Sequence, residues 1–201
     1  MKLYYAPGAC SMAPHILLNE LGGKFDTEKV DLGKKVTESG GNFLAVNAKG
    51  YVPTLDLGNG EILTEVQVIL QYLADKAGTG LLPKAGTMER YRALEVLNFI
   101  ASELHKGIGG LFNPAMPEDG KKAIKDHLAV RLQWLNEELG KHDYMFGKSF
   151  SAADAYAFTV LSWAPHVSLD LAPYANIGAY LSRVAARPAV QATLKQEGLA
   201  A

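Results

Sequence analysis

The single cysteine among 201 residues, Cys10, lies in "YYAPGACSMAPH", two residues past the Pro7-Gly8 pair and directly ahead of a helix signal. A thiol in that position can serve as a nucleophile or redox partner, because backbone N–H groups and the positive end of a helix dipole favour a negatively charged sulfur. A lone cysteine is equally at home as a small buried hydrophobe, and position alone leaves the two readings level. Pro53 in "YVPTL" opens a strand, either as an edge residue or at a cis bond in a tight turn. A cis bond would leave the N–H and C=O of Val52 to pair with a peptide-like ligand as an added strand.

Asn98, Ser102 and His105, at i, i+4 and i+7, form a polar row on a helix otherwise apolar on its inner side. Such a row lines a cleft or simply faces water. Ser151 and Asp154 have the N-cap and N3 spacing of a capping box, with Phe150 at the staple position, which marks the pair as structural. The five histidines fall into no H-x-x-x-H or C-x-x-C pattern, so no metal site is expected. "GIGG" after Lys106 has neither the preceding strand nor the full spacing of a dinucleotide fingerprint.

Around these residues the chain reads as globular, with 48% hydrophobic content. Its 20 basic and 21 acidic residues give a formal net charge of -1, which offers no bulk attraction to nucleic acid or to an anionic membrane. Small molecules and other protein surfaces are the expected partners. One cysteine cannot close an internal disulfide, and "MKLYYAPGAC" is too briefly apolar for a signal peptide, so a reducing cytoplasm is expected. No run of about 18 apolar residues predicts a membrane span.

The elements that must position the candidate residues come in two blocks. "KLYYA" predicts a strand, 11–21 a helix with Pro14 in its first turn, and "FDTEKVDL" a second strand. A short segment near "NFLAVN" follows, then two strands around Asn59-Gly60 as a hairpin, giving β-α-β and then β-β. A helix from Glu65 follows, with Thr64 and Gln67 spaced as a capping box and Val66, Ile69, Leu70 and Leu73 as its apolar stripe. "GTGLLPKAG" breaks the composition, so 1–77 is one domain, 78–86 a linker and 87–201 an all-helical domain. In the second domain, Leu94, Leu97, Ala101, Leu104 and Ile108 predict the core face of a long helix, and Ile124, Leu128, Leu132, Leu135 and Leu139 that of the next, with Gly140 as its C′ residue. "FSAADAYAFTVLSWAP", apolar all round, predicts a central helix, and helices near 174–186 and 188–197 complete the domain.

With "YYAPGACSMAPH", "GYVPTL", "ILTEVQVILQYLAD", "LNFIASELHKG" and "FSAADAYAFTVL" in that order, the chain resembles the glutathione S-transferases, and within them the bacterial beta class. The resemblance runs from Met1 to the C-terminal "EGLA". It implies an α/β thioredoxin-like N-terminal domain and an all-α C-terminal domain that forms a site for small hydrophobic electrophiles. It also implies a cytoplasmic homodimer, with glutathione as cosubstrate and no metal. Cys10 matches the class cysteine beside the glutathione sulfur, able to form a mixed disulfide with it, and Pro53 matches the family's cis-proline. The resemblance further implies Lys35 toward the glycyl carboxylate, Tyr51 and the Val52 backbone along the tripeptide, and Glu65 with the Val66 N–H at the γ-glutamyl end. From the helical domain it brings Asn98, Ser102, Glu103, His105 and Lys106, some of them across the dimer interface, with His105 stabilising the thiolate or a developing anion. Val66 stands where the class usually has glycine or serine, so a hydroxyl contact is lost, and "GIGGLFNPAM" is unusually glycine-rich for its region.

Conjugation of glutathione to hydrophobic electrophiles is the leading reading, with thiol-disulfide exchange through Cys10 beside it. A mainly glutaredoxin-like exchange or a non-catalytic carrier of apolar ligands are the alternatives. Thiol activation alone is too weak a device for the first. Lowering a thiol pKa from about 8.5 to about 6.5 raises the thiolate fraction at pH 7 roughly 25-fold, while the weaker nucleophile returns about 8-fold of that. Holding the thiolate against its electrophile must supply the rest.

Overall fold

The computed structural model describes residues 1–78 and 80–199; Thr79 of the expected linker and Ala200 and Ala201 of the expected helical domain lie outside the described residues. Contacts divide the chain into two compact units, Met1–Thr79 with Arg187–Ala201, and Gly80–Ala186.

The first unit is built on β1 (Lys2–Tyr5), the central strand of a five-stranded sheet of order β3-β2-β1-β4-β5. β1 runs parallel to β2 (Asp26–Asp31), with Tyr4 opposite Glu28, and antiparallel to β4 (Thr54–Asp56), with Leu3 opposite Leu55. A parallel neighbour needs a crossover, which α1 (Met12–Leu21) provides, stopped by Gly22 at φ 67°. Successive side chains of β1 point to opposite faces. Tyr4 packs with Val30, Val52 and Phe43 of the short α2 (Phe43–Val46), while Tyr5 meets His15 of α1 with ring centroids 5.5 Å apart. This β-α-β, β-β order is the thioredoxin-like arrangement that the sequence predicts.

Three local expectations change. A further strand, β3 (Val36–Thr37), pairs with β2. Two residues carry no legible alternation, so nothing in the pattern announces it. β4 and β5 (Ile62–Thr64) are joined through 57–61, where Gly58 and Gly60 at φ 81° and 89° flank Asn59, rather than through a two-residue turn. The capping box of Thr64 and Gln67 does not form, because α3 (Val66–Ala77) starts from Glu65 at φ 71° and Thr64 Oγ1 accepts instead from Lys49 Nζ at 2.9 Å. The last helix, α9 (Pro188–Gln196), belongs to this unit: Asn19 of α1 donates to Thr193 and Gln196, both at 2.8 Å, and Arg187 grips Glu20.

The second unit is helical. α4 (Met88–Phe99), capped by the Thr87 hydroxyl, passes into a π-helical segment (Ile100–His105) and then into α5 (Lys106–Gly110). A π turn advances more residues than a 3.6 period allows. The buried face is accordingly Ala93, Leu97, Ile100, Leu104 and Ile108, not the predicted stripe through Leu94 and Ala101, which stay partly exposed. Leu128, Leu132, Leu135 and Leu139 of α6 (Glu118–Leu139) are buried as predicted. Glycine serves approach rather than turning here. Gly140 is right-handed (φ -75°), and a Cβ on it would meet Asn176 Nδ2 at 2.8 Å; one on Gly107 would meet Leu128 Cδ2 at 2.7 Å. That contact accounts for one glycine of "GIGG".

All ten residues of α7 (Ala152–Leu161) are buried, and α8 (Ala175–Ala185) packs beside it. The Asp154 carboxylate accepts from Ser151 N–H at 2.8 Å, Ser151 O–H at 2.6 Å and Met145 N–H at 2.8 Å. Burial pushes this carboxyl up to about 6 against those donors. Among the described residues no helix is long and apolar enough to cross a membrane.

The β1–β2 pair carries its own acid sensitivity. Hydrogen bonds from Lys2 and Ser39 hold the Glu28 carboxyl at about 2, below its ordinary 4.5. A depressed carboxyl stabilises the fold above its unfolded value and loses that contribution as pH falls through the folded one, here between about 4.5 and 2. Glu28→Gln should therefore cost about 2–3 kcal/mol near pH 7 and nothing near pH 2. Urea unfolding across pH checks it, and a cost that does not shrink in acid rules it out.

Candidate active site

Cys10 sits one residue before Ser11, the N-cap of α1, in a loop whose turns close through Ala9 N–H to Ala6 C=O at 3.0 Å and Met12 N–H to Ala9 C=O at 2.9 Å. Ser11 Oγ accepts from Ala6 N–H at 3.1 Å. Gly8, at φ 70°, gives its N–H to a carboxylate oxygen of Glu197 at 2.8 Å. The Cys10 side chain is partly exposed, and its thiol donates to the Val52 carbonyl at 3.3 Å. Cys10 is therefore not the fully buried hydrophobe of the alternative reading.

Val52 precedes Pro53 through a cis peptide bond. Asn47, buried at the end of α2, holds this segment from beneath, its Nδ2 donating at 2.9 Å to both Tyr51 C=O and Thr54 Oγ1. Beside it, Lys35 Nζ donates to Gly50 C=O at 2.7 Å. Gly50 lies at φ 68°, which favours glycine, and a Cβ on it would press on Leu44 Cδ2 at 3.0 Å. Glu65 Oε1, at the start of α3, accepts from Tyr51 Oη at 2.5 Å and Lys49 Nζ at 3.1 Å. Those contacts raise the Tyr51 hydroxyl and the Lys49 ammonium, each chiefly through the hydrogen bond to Glu65. Val66, the first residue of α3, is buried. One face of the first unit thus gathers a thiol, an extended backbone, two ammonium groups, a carboxylate and a helix N-terminus.

In the second unit the polar row divides. Asn98, Ser102 and Lys106 are exposed, with Ser102 Oγ donating back to Asn98 C=O at 2.9 Å. Glu103 turns to α6, accepting from Arg131 at 2.8 Å and His127 at 3.0 Å, and the Arg131 guanidinium first and His127 second hold its carboxyl below the ordinary range. His105 turns to α7: its Nδ1 lies 2.7 Å from Tyr156 Oη, and its ring stands edge-on to Trp163 at 5.0 Å. Among the described residues no group of three or more His, Cys, Asp or Glu side chains is gathered that could hold a metal ion.

Sequence reasoning missed His15 and Glu197. Both side chains are almost wholly buried, and His15 Nδ1 lies 2.8 Å from Glu197 Oε1 while the other carboxylate oxygen takes Gly8 N–H. The chain end therefore pins the Cys10 loop from 189 residues away. The only available signal was the terminal "EGLA" run, to which no role attaches locally.

A family profile described as "Glutathione S-transferase, N-terminal domain" matches residues 8–76, and one described as "Glutathione S-transferase, C-terminal domain" matches 99–188. The chain is 48% identical to glutathione S-transferase GstA of Escherichia coli O157:H7, over 99% of this chain and 100% of that one. Among solved structures, a sphingomonad glutathione S-transferase complexed with glutathione superposes with a TM-score of 0.95 at 47% identity, over the whole of both chains. A bacterial beta class glutathione S-transferase of Sphingomonas chungbukensis does so at 0.95 and 46%, with the same coverage.

Removing the buried carboxylate strands both its partners. Glu197→Ala should cost about 2–5 kcal/mol, because two buried polar groups, Gly8 N–H and His15 Nδ1, lose their partner at about 1–3 kcal/mol each, against about 1 kcal/mol or less for Lys34→Ala, whose ion pair is exposed. Denaturant midpoints measure both, and equal costs would show that the buried contact contributes no more than the exposed one.

Proposed function

We propose, from the premise that the chain belongs to the glutathione S-transferase family, that its first unit holds the tripeptide with the glutathione sulfur beside Cys10. The protein is a glutathione transferase of the bacterial beta class, with reduced glutathione as its cosubstrate. The observation that carries the residue assignment is the 3.3 Å approach of the Cys10 thiol to the Val52 carbonyl. A peptide paired with Val52 in extended form has its central residue, the cysteine of glutathione, at that sulfur.

The remaining groups suit the two ends of the ligand. Lys35 uses one of its ammonium protons on Gly50 and has others for the glycyl carboxylate. The γ-glutamyl carboxylate suits the N-terminus of α3 at Val66 N–H, and its ammonium suits Glu65, with Tyr51 alongside. Val66 supplies an N–H but no hydroxyl. Asn98, Ser102, His105 and Lys106 remain the candidates from the second unit; at Glu103 a ligand would compete with Arg131 and His127. Small hydrophobic electrophiles fit the aromatic surroundings of His105, formed by Tyr156 and Trp163, with Phe112 against Trp163.

Cys10 gives the enzyme a second reaction. Its thiolate attacks one sulfur of glutathione disulfide, the S–S bond breaks as the Cys10–glutathione bond forms, and the departing glutathione thiolate takes up a proton. A reducing cytoplasm, where a lone thiol persists, is the compartment for this chemistry. Treatment with glutathione disulfide should add one glutathionyl group to the wild type and none to Cys10→Ala. Cys10→Ala should still be retained on glutathione resin and still conjugate a chloronitrobenzene, with kcat/KM reduced by about tenfold or less because positioning outweighs thiol activation. An unmodified wild type, or one that passes through the resin, would overturn the assignment.

A homodimer is supported by an apolar surface on the second unit. Met88, Tyr91, Val130 and Trp134 are exposed on α4 and α6, with Phe99 edge-on to Trp134 at 4.8 Å. Sedimentation equilibrium should give twice 21.7 kDa for the wild type. Val130→Glu with Trp134→Glu should shift it toward the monomer, and an unchanged mass for the variant would place the interface elsewhere.

A further inference from the structure

We propose that Tyr156 is a positioning residue for His105, holding the neutral imidazole in the tautomer that carries its proton on Nε2. The contact lies within the second unit and joins the end of the π-helical segment to α7. Tyr156 Oη is 2.7 Å from Nδ1, and Tyr156 is 2% exposed, so its ring is fixed by the surrounding core. The imidazole stands perpendicular to Tyr156, at 89° and 5.7 Å, and at 68° to Trp163, 5.0 Å away. Two aromatic rings therefore set its plane. The remaining freedom is a half-turn of the ring, which would present Cδ2 to the hydroxyl in place of Nδ1 and break the hydrogen bond.

The direction of the hydrogen bond follows from the chemistry of the two groups. A phenol O–H is a good donor and an imidazole nitrogen a better acceptor than a phenol oxygen, so Tyr156 donates and Nδ1 accepts. A neutral imidazole that accepts at Nδ1 bears its hydrogen at Nε2. His105 is thereby a neutral hydrogen-bond donor at Nε2, the form suited to an anion as it develops and unable to act as a base there. In conjugation of a chloronitrobenzene, the glutathione thiolate adds to the chlorine-bearing carbon, negative charge moves to the nitro oxygens, and chloride leaves with the bonding pair. A donor acts on the charged intermediate stage.

The positioning itself depends only on the second unit; its effect on turnover rests on the assignment of His105 above, and the test separates the two. Nitrogen-15 correlation spectra of the uniformly labelled protein read the tautomer of each histidine, with His105→Ala assigning the signal. The wild type should show Nδ1 in the unprotonated range and Nε2 in the protonated range. In Tyr156→Phe, which keeps the ring and removes only the hydroxyl, the two tautomers should mix. The kcat with a chloronitrobenzene should fall about three- to tenfold with the glutathione KM unchanged, and Tyr156→Phe should add nothing when placed on His105→Ala. A wild type protonated at Nδ1 of His105 overturns the proposal, as does a tautomer unmoved by loss of the hydroxyl. A shifted tautomer with kcat unchanged in both Tyr156→Phe and His105→Ala upholds the positioning and removes His105 from the reaction.

Discussion

Glu197 lies near the end of the chain with its carboxylate buried between Gly8 N–H and His15 Nδ1, both at 2.8 Å. An ionisable group inside a protein is retained only when its lone pairs are met, and here one oxygen meets the loop ahead of Cys10 while the other meets α1 behind it. The loop cannot shift outward without uncovering the carboxylate, and α9 cannot leave α1 without stranding His15. His15 Nε2 finds no hydrogen-bond partner among the described side chains and backbone, which ties that imidazole more closely to the one carboxylate it has. Cys10 is thus held at Val52 by a constraint whose covalent origin is remote. The placement of α9 in the first unit follows from the same contacts.

The polar groups of the two units are organised on opposite principles. In the first, the groups proposed for the tripeptide are braced by neighbours: Asn47 beneath Tyr51 and Thr54, Gly50 C=O against Lys35, Tyr51 and Lys49 against Glu65. Such bracing leaves donor and acceptor capacity for a ligand while limiting the rotamers to be ordered on binding. In the second, a π turn distributes neighbouring side chains among different partners, Glu103 to α6 and His105 to α7. Insertions of this kind occur often at functional sites because they re-aim side chains without breaking the helix.

Much of the framework was legible because its signals are local and repeat at the period of the element. β1, α1, the β4–β5 pair, the leucine face of α6, the uniformly apolar α7 and the box of Ser151 and Asp154 each declare themselves within about a dozen residues. The misreadings came where the period changes or the element is too short to have one. Leu94 and Ala101 were assigned to the core by an α period that the π segment interrupts, Val36–Thr37 is two residues long, and Thr64 is drawn away from its cap by Lys49. Gly140 does end α6, but in a right-handed conformation, and its missing side chain makes room for Asn176. A glycine does not announce which of its two properties is in use.

From the sequence alone came the family, the two-part organisation and the candidate residues at both ends of the tripeptide, because ordered motifs and hydrophobic periodicity are properties of the chain itself. Tertiary structure alone decided which of those residues meet. The Cys10 thiol on the Val52 carbonyl, Glu65 between Tyr51 and Lys49, His105 on Tyr156 rather than in one exposed row with Asn98 and Ser102, and above all Glu197 on the Cys10 loop join positions 14 to 189 residues apart. Hydrogen bonds span about 3 Å of space at any distance along the chain, and side chains that close in space carry no common mark in the sequence.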